Sequence, residues 1–241
     1  MDMTRSAMEY IVENSAPIMV DYNDSRYTDK PLTRINKDLV ANELRMTTLT
    51  SLIDYIRSGV DGVPGKSLVH VVSPTRVTLI SPLNQDRKRE MLVQVDAEIP
   101  DFDYGTFIGH ESFLIALQAK FMRTPDLDLL LKFAGTVESG TVAQYGDDGV
   151  SQKATVKSGI SSKADAIVPN PVKLIPYRTF LEVDQPESSF VFRMKDDDRG
   201  GVRCAIFEAD GGAWKRSAMD NVADFIRESL DDLKDSITVI C

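Results

Sequence analysis

Six acidic or imidazole side chains stand at predicted turns and at the start of a predicted helix, where they could exchange protons or bind a small ligand. They are Asp101, Asp103, His110, Glu111, Asp147 and Asp148. Carboxylates and histidine act as acids and bases when their surroundings shift their pKa values. The sequence therefore names these six residues as a candidate ligand-binding site, and an acidic ligand-binding protein or enzyme is one hypothesis for function.

The run Asp147-Asp148-Gly149 has a second interpretation as the turn before a strand. Aspartate bonds its own backbone and glycine adopts positive φ, so the Asp-Gly pair favours a turn. The residues from Val150 onward alternate between apolar and polar side chains, as a half-buried strand requires. A calcium loop needs more acids at alternate positions. The turn is the favoured interpretation, and the ligand site is its alternative.

Known catalytic and cofactor motifs do not fit this chain. The segment GVDGVPGKS at residues 59–67 ends like a phosphate-binding loop, but its spacing is wrong, and a helix precedes it where a strand should. His110-Glu111 is not followed by a second histidine at residue 114. Because the chain has two histidines and two distant cysteines, the sequence predicts no metal site, no cofactor and no assignable catalytic residue.

Composition narrows the class of partner. The chain has 241 residues and a net charge of −9, which weighs against binding to nucleic acid. A role as a nucleic-acid accessory protein stays open through the pairs Tyr177-Arg178 and Phe192-Arg193, which resemble stacking platforms beside cations.

No apolar run approaches the roughly 18 residues that a membrane span needs. Cys204 and Cys241 lie far apart, which is typical of reduced thiols in a cytosolic protein.

The elements that must position these residues come in blocks. A helix is predicted from Thr48 to Gly59, then three strands at 68–72, 75–81 and 91–99, then helices within 109–122 and 125–134. Residues 136–209 are rich in short strands, including one over VKLIPYRTFLEV; a last helix begins at Ser217 and a strand ends the chain. This order predicts an α+β fold with a mostly antiparallel sheet and three to five helices.

The domain organisation has two parts. Residues 1–36 are predicted to form an N-terminal arm, with a short helix over 4–14 followed by an irregular apolar segment. Residues 37–241 are predicted to form one α+β domain, whose part up to 135 is helix-rich and whose part from 136 is β-rich.

Several segments together resemble one protein family. They are TLTSLIDYI, HVVSPTRVTLISPL, FDYGTFIGHESFLIALQAKF, DDGVSQKATVKSGI, PYRTFLEVDQPESSFVFR and EADGGAWK. In this order they resemble the YfdQ-like family of phage and prophage proteins, a family of unknown function, from about residue 44 to the C-terminus. The resemblance implies a phage or prophage gene expressed in the cytoplasm of a bacterial host. It implies no catalytic residues.

The leading hypothesis for function is a self-associating protein without catalytic activity. The segments YRTFLEV and SSFVFRM carry large apolar residues on both faces of predicted strands, and such a sheet needs a cover on both sides. Phe180, Phe190, Phe192 and Trp214 are therefore the candidate interface residues of a homo-oligomer. The alternative is a monomer that covers these residues with its own arm and last helix.

Overall fold

A computed structural model describes most of the chain, in eight segments. They are residues 4–22, 25–30, 41–84, 87–143, 153–157, 163–167, 170–196 and 201–241. The chain divides into two compact units, Met1–Ala41 and Asn42–Cys241. No helix in the described segments is long and apolar enough to cross a bilayer.

The described residues form five α-helices and fifteen strands. The helices are α1 (Arg5–Ser15), α2 (Leu49–Ser58), α3 (His110–Lys120), α4 (Pro125–Thr136) and α5 (Trp214–Ser229), followed by a short 3-10 helix at Asp231–Leu233. The strands are β1 (Met19–Tyr22), β2 (Ser25–Thr28), β3 (Leu44–Met46), β4 (Ser67–Ser73), β5 (Arg76–Ile80), β6 (Met91–Asp96), β7 (Ile108–Gly109), β8 (Phe121–Met122), β9 (Val137–Ala143), β10 (Lys153–Lys157), β11 (Lys163–Ile167), β12 (Val172–Pro176), β13 (Ser188–Asp196), β14 (Val202–Glu208) and β15 (Ile237–Ile240). Most strand pairs are antiparallel, so the predicted α+β fold is confirmed.

The N-terminal unit contains α1 and an antiparallel hairpin of β1 and β2, in which Val20 lies opposite Tyr27. The sequence predicted the helix but described the following segment as irregular, so the hairpin corrects that prediction. The Asp29 carboxylate accepts a hydrogen bond from the Ile18 N–H at 2.7 Å. Lys30 Nζ donates to the carbonyl of Asn14 at 2.9 Å, near the end of α1.

The first sheet of the larger unit has the strand order β15-β4-β5-β6-β3. Its inner pairs are antiparallel, and the two outer strands are parallel to their neighbours. Alternation along the inner strands buries Val69, Leu79 and Val93 on one face, against α2 and α5. We call this cluster the first core. Thr48 caps α2 by accepting from the Ser51 N–H, as the sequence predicted.

The second sheet has the order β7-β14-β13-β12-β8 and is antiparallel throughout. Alternate residues of β13 pack against α3 and α4 in a second core, in which Phe113 stacks on Phe192 with ring centroids 5.6 Å apart. Thr124 caps α4 through the Leu127 N–H. A third sheet, β11-β10-β9, confirms the strand predicted over KATVKSG.

Two predicted boundaries are wrong. The strand predicted over VKLIPYRTFLEV ends at Pro176, and the chain from Tyr177 onward forms a loop. The last helix begins at Trp214, three residues before Ser217, because the turn at Asp210 to Ala213 already directs the backbone into helical geometry.

Candidate functional site

The structure gives Asp101 and Asp103 local roles in the loop before β7. Both are exposed. The carbonyl of Asp101 accepts a hydrogen bond from Lys120 Nζ, and the carbonyl of Asp103 accepts from the Thr106 N–H at 3.3 Å. These bonds use the backbone and fix the path of the loop. They give the two carboxylates no common ligand.

His110 and Glu111 also serve the local structure. His110 Nε2 donates to the carbonyl of Ala134 at 2.7 Å and thereby joins the start of α3 to the end of α4. Glu111 is exposed in the first turn of α3, where a carboxylate favours the positive helix end. Asp147 and Asp148 lie outside the described residues. Within the described segments, no three His, Cys, Asp or Glu side chains are placed to hold a metal ion.

The three phenylalanines predicted to form an interface are buried inside this chain. Phe180 is 1% exposed in the first core, and Phe190 and Phe192 are fully buried in the second core. Trp214 is half-buried. The chain's own helices and loops cover the phenylalanines. Phe180 lies in a loop after β12 and packs in the first core, and β13 turns Phe190 and Phe192 toward the second core on the one face that it buries. A second copy is not needed to cover them.

The same burial removes the two pairs that suggested a stacking platform for bases. Arg178 is 4% exposed and Phe192 is fully buried. A platform for single-stranded nucleic acid needs exposed aromatic faces beside cations. Neither pair therefore supports nucleic-acid binding.

Sequence reasoning missed a polar cluster around the buried Arg178. We call this the Arg178 cluster; it consists of Arg178, Ser188, Glu208 and Asp210 with the ring of Trp214. Arg178 Nη1 donates to the Glu208 carboxylate at 2.8 Å, and Nη2 donates to the Ser188 hydroxyl. That hydroxyl donates in turn to Asp210 Oδ2 at 2.6 Å. The cation is therefore paired with one carboxylate directly and with a second through serine.

Aromatic rings surround the same guanidinium. Its Cζ atom lies 3.9 Å from the ring centroid of Trp214 and 5.7 Å from that of Phe190, within the range of a cation–π interaction. Tyr104 stacks on Phe190 with centroids 5.6 Å apart. Burial lowers the pKa of Arg178 and raises the pKa of Tyr104 to about 12. Desolvation is therefore the main cause of both shifts.

The loop from Tyr177 to Gln185 connects the two cores. Gln185 Oε1 accepts from the N–H groups of Arg178 and Thr179, at 3.0 and 3.2 Å, and Gln185 Nε2 donates to the carbonyl of Phe180 at 2.8 Å. The Thr179 hydroxyl donates to the carbonyl of Pro74 at 2.5 Å. The loop thereby leaves the second core at Arg178 and enters the first core two residues later. In the sequence, Asp184 and Pro186 are the residues that disfavour a strand here and indicate a loop.

Two clefts flank this loop, one beside the start of α2 and the other beside α5. A cleft of about 370 Å³ is lined by threonines of the β3–α2 turn, Glu98 and Leu181. The Glu182 carboxylate beside it accepts from the Leu49 N–H at 2.8 Å, so the chain itself supplies an anion to the start of α2. A second cleft of about 280 Å³ contains the carboxylates of Glu182, Asp184, Asp224 and Glu228. This end of the first core is therefore strongly negative.

Asp210 makes the stability of the cluster depend on pH. Burial alone would raise the pKa of Asp210, but the hydrogen bonds from Ser188 and Gly212 and the charge of Arg178 together lower it. A carboxylate whose pKa is lower in the folded state stabilises the fold above its unfolded pKa, near 3.9, and loses this contribution as pH falls through the folded value.

We therefore expect the urea concentration at the midpoint of unfolding to decrease as the pH is lowered from about 4 to the folded pKa of Asp210. In the Asp210→Asn variant, part of this acid dependence should be absent. The exposed Asp101→Asn variant serves as the control. Parallel pH profiles for the wild type and Asp210→Asn would contradict the assignment.

The N-terminal unit carries seven of the eighteen exposed large apolar side chains in the described part of the chain. Seven large side chains of α1 and the hairpin region are between 49% and 68% exposed: Met8, Tyr10, Ile11, Ile18, Met19, Val20 and Tyr27. Two ion pairs lie within the unit, Arg5 with Glu9 at 3.0 Å and Arg26 with Asp21 at 2.8 Å. The exposed apolar residues are therefore the part of this unit that can drive association with another protein surface.

Comparison of the chain with protein-family models, with curated proteins and with solved structures found no match.

Proposed function

We propose that this chain is a self-associating interaction protein without catalytic activity, and that its N-terminal unit binds a second copy. The observation that carries the proposal is the exposure of seven large apolar side chains on a unit of about 40 residues. Exposed apolar patches of this kind mark interaction surfaces in folded proteins.

The secondary structure of the N-terminal unit supports the proposal. An isolated helix shorter than about 12 residues is marginal in water, and α1 has 11 residues and no side-chain hydrogen bond at its N-cap. A two-stranded hairpin is marginal as well. In the described residues of this unit no side chain is buried. Docking on a partner supplies the apolar burial that such elements need.

A second copy of the chain is the partner that we assign to this surface. It is present wherever the chain is present and at the same concentration. The resemblance to the YfdQ-like family supports the further proposal that the chain comes from a phage or prophage and works in the cytoplasm of a bacterial host. In this proposal the chain acts as an oligomeric structural or interaction module, a role that does not require a ligand-binding site.

The proposal predicts a mass above that of the single chain of 26.8 kDa. The triple variant Ile11→Gln, Ile18→Gln, Val20→Gln should weaken association about 100-fold or more, because each lost side chain contributes on the order of 1 kcal/mol or more when buried. Light scattering over a range of concentrations measures the mass.

The matched control is Val60→Gln with Leu181→Gln, which replaces apolar residues that are 73% and 67% exposed on the larger unit. The control should keep the wild-type mass. A triple variant that also keeps the wild-type mass would show that the N-terminal unit is not the interface. A wild type that stays near 27 kDa at all concentrations would contradict self-association.

A further inference from the structure

The strand β15 is an open edge of the first sheet. It pairs with β4 on one side. On its other side, the described backbone hydrogen bonds involve none of the residues Ile237–Ile240. Its sequence ITVI contains no charge and no proline. Proteins usually protect sheet edges with lysine, proline or bulges, because an unprotected edge pairs with other chains. The opposite outer strand, β3, has such protection in Arg45.

A groove runs beside this edge on the helix side of the sheet. It encloses about 330 Å³ and is lined by Leu230, Ile237 and Val239 together with Arg227, Asp231 and Lys234. The apolar residues lie toward the sheet, and the charged residues belong to the end of α5 and the segment after it. The groove leaves space for the side chains of a strand placed alongside β15.

We propose that β15 pairs with β15 of a second copy, antiparallel and around a twofold axis. A strand edge presents both N–H and C=O groups, so the same edge can satisfy itself when the two strands run in opposite directions. A twofold interface of this kind uses one patch twice and is the commonest arrangement in soluble oligomers. The two first sheets then form one continuous sheet of ten strands.

The charges around the groove agree with self-pairing. Each copy contributes both cations and anions beside the edge, because Lys234 lies 3.5 Å from Asp231 and Arg227 lies 2.8 Å from Asp224. These pairs balance the charge within each copy, so the surface beside the edge does not carry an excess of one sign. A patch of one sign would repel itself in the same arrangement.

This inference rests on the proposed self-association and adds a surface that is separate from the N-terminal unit. The two can therefore fail separately. The test is the double variant Thr238→Lys with Ile240→Lys in the full chain. Thr238 is exposed and Ile240 is 39% exposed, so both lysines can project into water. In the paired strands, four lysines would meet around the axis and oppose association.

We expect the double variant to have a lower mass by light scattering and an unchanged far-UV circular dichroism spectrum. Any fall in its urea midpoint should reflect the lost association and therefore depend on protein concentration. The control Val72→Lys with Ile115→Lys adds the same charge at residues that are 45% and 59% exposed on an inner strand and on α3. It should keep the wild-type mass. If the edge variant keeps the wild-type mass while the N-terminal triple variant loses it, the edge inference is wrong and the proposed function stands.

A cross-link identifies what occupies the edge. An antiparallel twofold pair centred on the middle of β15 places either Thr238 or Val239 opposite its own counterpart. Either Thr238→Cys or Val239→Cys, each in a Cys241→Ser background, should therefore form a disulfide-linked dimer on mild oxidation, and Val72→Cys in that background should not. A lower mass for the edge variant without this cross-link would show that another segment, such as a neighbour's hairpin, occupies the edge. That outcome would overturn the twofold β15 pairing.

Discussion

Phe180→Ala should lower the free energy of unfolding by about 4 kcal/mol, the largest loss that we expect from any single substitution proposed for this chain. Phe180 is 1% exposed and packs in the first core with α2 and α5. Truncation of a fully buried phenylalanine removes its apolar burial and leaves a cavity, at a cost of roughly 3–5 kcal/mol. Urea unfolding followed by circular dichroism measures the loss.

Leu181→Ala is the matched control for this prediction. It changes the next residue of the same loop, but Leu181 is 67% exposed, and surface substitutions change stability by roughly 0.5 kcal/mol or less. The pair also separates a core residue from an interface residue. A core residue lowers stability equally at all protein concentrations. A Phe180→Ala variant that unfolds like the wild type but has a smaller mass would restore the interface role.

Arg178→Met should lower the free energy of unfolding by about 3 kcal/mol. Removing one partner of a buried ion pair costs roughly 3–5 kcal/mol because a charge is left without compensation. Two features place the expected loss of stability at the lower end of this range. The Glu208 side chain is 36% exposed, so water can solvate it, and Arg178 Nε is buried without a hydrogen-bond partner among the described residues. Methionine retains the apolar stem.

Arg216→Met provides the comparison, because its ion pair with Asp220 is exposed on α5. Exposed pairs contribute little, so no resolvable shift in the urea midpoint is expected. Trp214 is the only tryptophan in the sequence, and its ring lies under the Arg178 guanidinium. Its fluorescence should therefore change in Arg178→Met. An unaltered emission spectrum together with wild-type stability would contradict the described cluster.

The parts of the fold that follow a local period could be predicted from the sequence. Leu49, Leu52, Ile53 and Ile56 recur at helical spacing, and all four are buried in α2. The alternation in β5 and β6 likewise indicated which face of the first sheet is buried, whereas β4, whose apolar sequence predicted full burial, is buried on one face only. Caps such as Thr48 and Thr124 were recognisable because a cap needs only nearby backbone N–H groups.

The candidate sites could not be predicted in the same way. Phe180 and Leu181 look alike in the sequence, yet one is buried and the other exposed, because Gln185 and Thr179 hold the loop outside any strand register. His110 looked like an acid–base residue, but a carbonyl 24 residues away uses its Nε2 atom. Nothing in the neighbourhood of Arg178 in the sequence indicates its partners Glu208 and Asp210.

The sequence by itself determined the α+β class, the approximate position of most helices and of the longer strands, and the buried face of α2, because these depend on periodicity and on turn residues within a few positions. Only the tertiary structure decided that two cores form, that one loop joins them through the Arg178 cluster, and that β15 lies at an edge of the first sheet. Those properties depend on contacts between residues up to more than 100 positions apart, such as Thr179 with Pro74, and no local pattern records which distant segment will supply a partner.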